Sequence, residues 1–194
     1  MMLLEQVYEN APAVQSGRHY TTINEFTDQQ PALRPEVLLE VRDRLCGLGA
    51  FSADKLLVEE DKGAILGAVV AITKRLPLAV ARWYSYDLTH SLTVPISSEY
   101  FAGKLYVNGI SAGDRVVIVD DTISTGGTLA ALIDAVQSAG ALVVEVLVAV
   151  EKVDNRGSEL IRSRFGIEVK SLIQVTIDPS LRRTRVVSNA RRAA

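Results

Sequence analysis

The chain has 194 residues, 48% of them hydrophobic and 23% charged, with a formal net charge of −2 at pH 7. That composition suits one globular domain with a sizeable core, and its balance argues against a general nucleic-acid or membrane-surface binder. Cys46 is the only cysteine, which excludes an internal disulfide and a cysteine-rich metal site.

Residues 1–34 carry no sustained apolar period and read as an irregular region, left through Pro31 and Pro35. From Glu36 onward Leu38, Val41 and Leu45 fall at helical spacing, and Gly47 and Gly49 offer a stop. "KLLVEE" (55–60) reads as a strand, "GAILGAVVAITKRL" (63–76) as a helix and "PLAVARW" (77–83) as a strand. Residues 85–103 are polar and read as irregular. A second series follows: strand "DRVVIVDD" (114–121), helix 127–139, strand "ALVVEVLVAVEK" (141–152), helix 157–165 and strand "VKSLIQVTI" (169–177). The end, "SNARRAA" (188–194), has no apolar pattern and is expected to fray. No apolar run approaches the ~20 residues of a membrane helix. The first residues lack the charged and apolar parts of a secretion signal, so a cytoplasmic location is expected.

The strand from Ala141 to Val150 shows almost no alternation, as expected where both sheet faces are covered. Strands alternating with helices imply an α/β fold, a Rossmann-like parallel sheet flanked by helices. Ligands in such sheets bind beyond the carboxyl ends of the strands. Asp120 and Asp121 stand at such an end, in "VVIVDDTISTGGT" (116–128).

In that loop small residues let the backbone turn tightly, so that several N–H groups converge on one anion. A helix starting near Gly127 adds unpaired N–H donors and the positive end of its dipole. Ser124, Thr125 and Thr128 add hydroxyl donors. A monophosphate fits this cradle. The two carboxylates would repel it, so they face something else, and the vicinal hydroxyls of a ribose are the economical partner. No Lys follows the glycines, which excludes a Walker A loop, and G-x-G-x-x-G is absent.

"VVIVDDTISTGGT" closely resembles the phosphoribosyl-pyrophosphate (PRPP) motif of type I phosphoribosyltransferases. The resemblance implies that Asp120 and Asp121 hold the ribose hydroxyls while Thr122, Ser124, Thr125, Gly126, Gly127 and Thr128 surround the 5-phosphate. It also implies Mg²⁺, carried mainly by the substrate, with Asp120 and Asp121 as candidate ligands. "VEEDKG" (58–63) resembles the family's pyrophosphate loop, which assigns Glu60, Asp61, Lys62 and Gly63 to the leaving group, and Arg82 resembles the arginine that opens the next phosphate-side loop. Residues 85–103 then correspond to a mobile loop that closes over the substrate, with Glu99 near the ring as a catalytic acid.

"GKLYVNGISAGDRVVIVDDTISTGGTL", "TDQQPALRPEVL" and "EKVDN" together resemble the archaeal-type hypoxanthine phosphoribosyltransferases, and more loosely the xanthine and adenine enzymes. That likeness implies a small N-terminal hood (1–34), a core of 35–178 and a tail of 179–194. It assigns Lys152 to the 6-oxo group of a purine, Asp28 to the base, and Phe26 or Tyr84 to stacking. Trp83 departs from the lysine that many purine relatives carry there, and the acids of "VEEDKG" are heavier than usual. The implied activity is transfer of 5-phosphoribosyl from PRPP to a purine, a 6-oxopurine such as hypoxanthine first, by a homodimer. Adenine as the acceptor, or a non-catalytic sensor of PRPP or nucleotides, are the alternatives.

Overall fold

In the computed structural model, which describes residues 1–17, 19–85, 91–97 and 102–189, the alternating series forms an eight-stranded sheet with helices on both faces. A small N-terminal part comes first: α1 (Leu3–Tyr8), the hairpin β1 (Ala13–Ser16) and β2 (His19–Thr22), and the one-turn α2 (Glu25–Asp28). The body follows as α3 (Pro35–Leu48), β3 (Lys55–Glu59), α4 (Lys62–Lys74), β4 (Leu78–Arg82), β5 (Leu92–Ser97), β6 (Ala102–Val107), β7 (Arg115–Ile123), α5 (Gly127–Ser138), β8 (Leu142–Lys152), α6 (Gly157–Phe165), β9 (Val169–Asp178) and β10 (Arg183–Asn189).

The spatial order is β10-β9-β8-β7-β3-β4-β6-β5. Strands β9, β8, β7, β3 and β4 are parallel, and β10, β6 and β5 add antiparallel margins. The chain builds outward from β3 to β4, then restarts on the other side of β3 with β7, β8 and β9. That reversal makes a topological switch point, the place where open α/β sheets bind ligands. Pairing between β3 and β7 covers Lys55–Leu57 against Val116–Ile118, and Glu59 and Asp120 stand two residues further on.

Two apolar layers hold the sheet. Val116, Ile118, Val146 and Val148 face Leu129, Leu132, Ile133 and Val136 of α5. Val117, Val119 and Leu147 face Val41 and Leu45 of α3, Leu66 and Val70 of α4, and Leu4 and Tyr8 of α1. Central strands covered on both faces explain the unbroken apolar runs of β7 and β8.

Three expectations change. The N-terminal region is not irregular: two short helices and a hairpin occupy it, each too short to show a period. The described parts of 85–103 include β5 and the first two residues of β6, and the two strands pair along their lengths. Pro95 masks β5 in the sequence and is tolerated because β5 is the outermost strand. Of the stretch expected to fray, Ser188 and Asn189 belong to β10 and pair with β9, and 190–194 lie outside the described residues. Among the described residues no helix is long and apolar enough to cross a membrane.

Candidate active site

A cavity of about 700 Å³ opens at the switch point, between the carboxyl ends of β3 and β7, with the N-terminal part as its roof. All residues from Asp120 to Leu129 line it, with Asp28, Asp61, Lys62 and Lys152. The sequence reading thus converges on one place from four separate segments.

The floor is the β7–α5 turn. Gly126 has φ +84, a value that favours glycine, and it caps α5 without a side-chain acceptor. The helix starts at Gly127 with no acidic residue in its first turn, so its N–H groups and dipole face the cavity. Gly157, at the start of α6, lies behind the turn. A Cβ there would stand 2.3 Å from the Ser124 carbonyl oxygen and 2.8 Å from the Gly126 nitrogen. The turn and the α6 start therefore touch backbone to backbone.

Asp120 and Asp121 are 4% and 7% exposed. The Asp121 N–H donates to Asp120 Oδ1 at 2.9 Å. Burial, then the Asp121 and Glu59 charges, hold the Asp120 carboxyl well above the usual carboxylate range. Burial also raises Asp121, against the hydrogen bonds from Asp120 and Thr122 and the charge of Lys62. Such a pair is relieved by donors or a cation in the cavity. Gly63 makes room for it: a Cβ at 63 would stand 2.8 Å from Asp120 Oδ1.

The second wall is the β3–α4 turn, where Asp61 caps α4 at φ +79 and ψ −113, an uncommon conformation for a residue with a side chain. Lys62 Nζ donates to Asp28 Oδ1 at 2.8 Å. Burial works against the Lys62 charge, but Asp28, with Asp121 and Asp61 beyond, outweighs it and raises the ammonium above its ordinary range. Asp28 also accepts from Thr27 Oγ1 at 2.7 Å and from the Asn24 N–H at 3.2 Å. Two residues read as serving different reactants, the leaving pyrophosphate and the base, are therefore ion-paired.

Lys152 ends β8 and is 4% exposed, with its Nζ donating to the Tyr20 carbonyl at 3.2 Å. Its length carries the ammonium along the cavity wall to the hairpin of the roof.

Other expected residues lie elsewhere. Phe26 is 5% exposed and packs with Leu4, Tyr8 and Val37 in the core, because Asn24 caps α2 through the Phe26 and Thr27 N–H groups and turns the ring inward. It does not line the cavity. Glu60, Gly63 and Arg82 flank the cavity without lining it, and Tyr84 is exposed. Arg82 sits opposite Tyr106 of β6. Glu99 lies outside the described residues.

Residues not singled out as contacts contribute instead. Glu59 is buried and lines the cavity, accepting the Trp83 indole N–H. Burial, opposed by that bond and helped by Asp121, Asp61 and Glu60, pushes its carboxyl from 4.5 up to about 8. Tyr8 lies behind the acid pair, where burial and the Asp121 charge raise its hydroxyl. Asn155 Nδ2 donates to Ser124 Oγ at 2.7 Å. The sequence signal for Glu59 is its place as the first acid of "VEEDKG", and that for Asn155 is its place at the end of "EKVDN".

A family model described as phosphoribosyl transferase domain matches residues 58–181. The hypoxanthine/guanine phosphoribosyltransferase of Methanocaldococcus jannaschii is 34% identical over 177 residues, covering 91% of this chain and 96% of that protein. The protein of the same name from Methanopyrus kandleri is 39% identical over 177 residues, covering 91% of this chain and 93% of that one. Among solved structures, the adenine phosphoribosyltransferase of Thermoanaerobacter pseudethanolicus has a TM-score of 0.73 at 23% identity, covering 87% of this chain and 96% of that one; this likeness concerns the fold.

Proposed function

The chain belongs to the phosphoribosyl transferase family, on its purine branch, and we propose that it transfers the 5-phosphoribosyl group of PRPP to a 6-oxopurine such as hypoxanthine. The observation that carries this reading is one cavity holding a buried acid pair, an anion cradle at a helix start and a buried lysine. In the reaction the bond from ribose C1 to pyrophosphate breaks and one from C1 to a purine nitrogen forms. Pyrophosphate leaves with the bonding electrons and the purine nitrogen loses its proton.

In this reading Asp120 and Asp121 accept from the ribose hydroxyls, and residues 124–128 donate to the 5-phosphate. Positive charge grows on the ribose as the bond breaks, and the acids beside it favour that change. Lys62, with the backbone of Asp61 and Gly63, meets the pyrophosphate, so Asp28 and the leaving group share one ammonium. Arg82 and Glu60 keep their assignment to the pyrophosphate side.

Mg²⁺ fits the donor set in part. Asp120 and Asp121 offer hard oxygens, but among the described residues no group of three or more His, Cys, Asp or Glu could hold a metal ion. The two acids would hold the ion jointly with substrate oxygens. When bound, it neutralises charge on the pyrophosphate. A homodimer goes with this reading: Ile65, Val69, Ile72 and Leu76 recur along α4 and its end, and Ile65 and Ile72 are exposed. The cytoplasm is the matching location for such a salvage enzyme.

Lys152 is the residue through which the base assignment is tested. A 6-oxo group accepts from its ammonium, whereas the adenine amino group donates. Facing donors lose a hydrogen bond, about 1–3 kcal/mol, or roughly ten- to a hundredfold in kcat/KM. Lys152→Met is expected to depress hypoxanthine and guanine use by that factor and adenine use far less. An equal loss for all bases, or a wild-type preference for adenine, overturns the assignment.

A further inference from the structure

The phosphate cradle has a second layer behind it. After Lys152 the chain makes a short 3-10 turn, Val153–Asn155, before α6. This turn carries Asn155 over the back of the β7–α5 turn, where Nδ2 donates to Ser124 Oγ at 2.7 Å. The other side of the amide, Oδ1, stands 3.4 Å from His19 Nδ1 on β2. A carbonyl oxygen accepts only, so the ring nitrogen carries the proton in that contact.

A serine hydroxyl has one proton to give. With the Asn155 amide donating to Ser124 Oγ, the oxygen serves as acceptor on that side and the proton turns elsewhere. A phosphate oxygen in the cradle is an acceptor without protons to return, so the amide sets the polarity that an anion needs. From this we infer that Asn155 is a positioning residue: it fixes the Ser124 hydroxyl as a donor toward the bound phosphate, and His19 fixes Asn155. The inference rests on the reading of residues 124–128 as the phosphate cradle.

The same hairpin reaches both ends of the cavity. His19 contacts Asn155, and the neighbouring Tyr20 carbonyl accepts from Lys152. A single two-stranded ribbon therefore bridges the phosphate side and the proposed base side. Displacing it disturbs both.

Calorimetric Kd for PRPP and steady-state KM and kcat are measured for Ser124→Ala, Asn155→Ala, Asn155→Asp and Ser124→Ala with Asn155→Ala. Ser124→Ala and Asn155→Ala are each expected to weaken PRPP binding about three- to tenfold, the worth of one neutral hydrogen bond, falling on KM more than kcat. The double variant is expected to be no weaker than Ser124→Ala, because one pathway is removed twice. Asn155→Asp is nearly isosteric, yet it is expected to be weaker than Asn155→Ala. Its carboxylate accepts the Ser124 proton and puts negative charge behind the phosphate. A merely structural role gives the opposite order, so Asn155→Asp binding as well as or better than Asn155→Ala overturns the inference, as does an additive double variant. Normal PRPP binding by Ser124→Ala overturns both this inference and the cradle reading. If Asn155→Ala does not fold, Asn155→Asp against Asn155→Ser decides by the same order.

Discussion

The β7–α5 turn and the β3–α4 turn leave neighbouring parallel strands at the same end of the sheet, yet they reach their helices by different means. The first uses residues with little or no side chain: Gly126 at φ +84, Gly127 as the first helical residue, and Gly157 pressed against it from behind. It presents backbone N–H groups and hydroxyls. The second runs Glu59, Glu60 and Asp61 in succession into Lys62 and bends through Asp61 at φ +79. It presents charge. A turn that works through its backbone leaves its requirements in the choice of small residues; a turn that works through charged side chains leaves them in packing.

The largest effect is expected at the junction of the two, the acid pair. Asp120→Asn with Asp121→Asn removes two charged acceptors, each worth about 1.5–3 kcal/mol to a hydrogen-bonded partner. KM for PRPP should rise roughly a hundredfold or more. The folded protein should become more stable at neutral pH, because burial holds both carboxyls above their ordinary range, with the Asp121 and Glu59 charges adding to it at Asp120. Loss of PRPP use with a higher Tm separates a binding role from a structural one. An unchanged KM removes the ribose assignment.

Gly63→Ala comes next, since it strikes the acid pair from the other turn. The added Cβ would stand 2.8 Å from Asp120 Oδ1, so the carboxylate must move. Misplacing one of two hydroxyl acceptors should raise KM for PRPP by about tenfold. An unchanged KM in a variant of unchanged fold would show that the two turns are not coupled through this contact.

Asp61→Gly should do less to the substrate and help the fold. Glycine adopts φ +79 without strain, and relieving a side-chain residue there is worth about 1 kcal/mol, offset in part by the greater freedom of unfolded glycine. The expected result is a Tm higher by a few degrees with KM for PRPP within about threefold. A tenfold rise in KM would mean that the carboxylate itself contacts ligand, and the contrast between the turns would weaken.

The contrast also explains what could be read in advance. The β7–α5 turn was legible because a tight turn of glycines and small hydroxyl residues at a helix start restricts residue type at successive positions. The central strands and long helices were legible from unbroken or periodic apolar residues. The N-terminal part was not, because four-residue strands and helices of four and six residues show no period; β10 was not, because only Val186 and Val187 of its seven residues are apolar. Phe26 reads as a stacking residue from its place in the expected roof, and the Asn24 cap, a local hydrogen-bond choice, sends it inward. The partners of Lys62 and Ser124 come from segments 34 and 31 residues away, brought close only by the sheet order.

Glu59→Gln is expected to have the smallest effect on catalysis at neutral pH, and the sign of its pH dependence can be worked out. Glu59 is displaced from 4.5 to about 8 by burial, with Asp121, Asp61 and Glu60 adding to it and the Trp83 N–H opposing. A carboxyl raised by folding binds its proton more tightly in the folded state. Its contribution to stability is therefore complete below 4.5 and declines as the pH rises through that value toward about 8. Glutamine is the neutral mimic of the protonated form and can still accept from the indole. Melting curves from pH 5 to pH 9 should fall less steeply for the variant than for the wild type, with kcat/KM near pH 7 within about twofold. The two should diverge above pH 8, where the wild type gains a charge beside the proposed pyrophosphate site and the variant does not. The same slope in both proteins would mean that Glu59 is ionised across this range, and the charge on the β3–α4 turn would then need another counterweight than a proton.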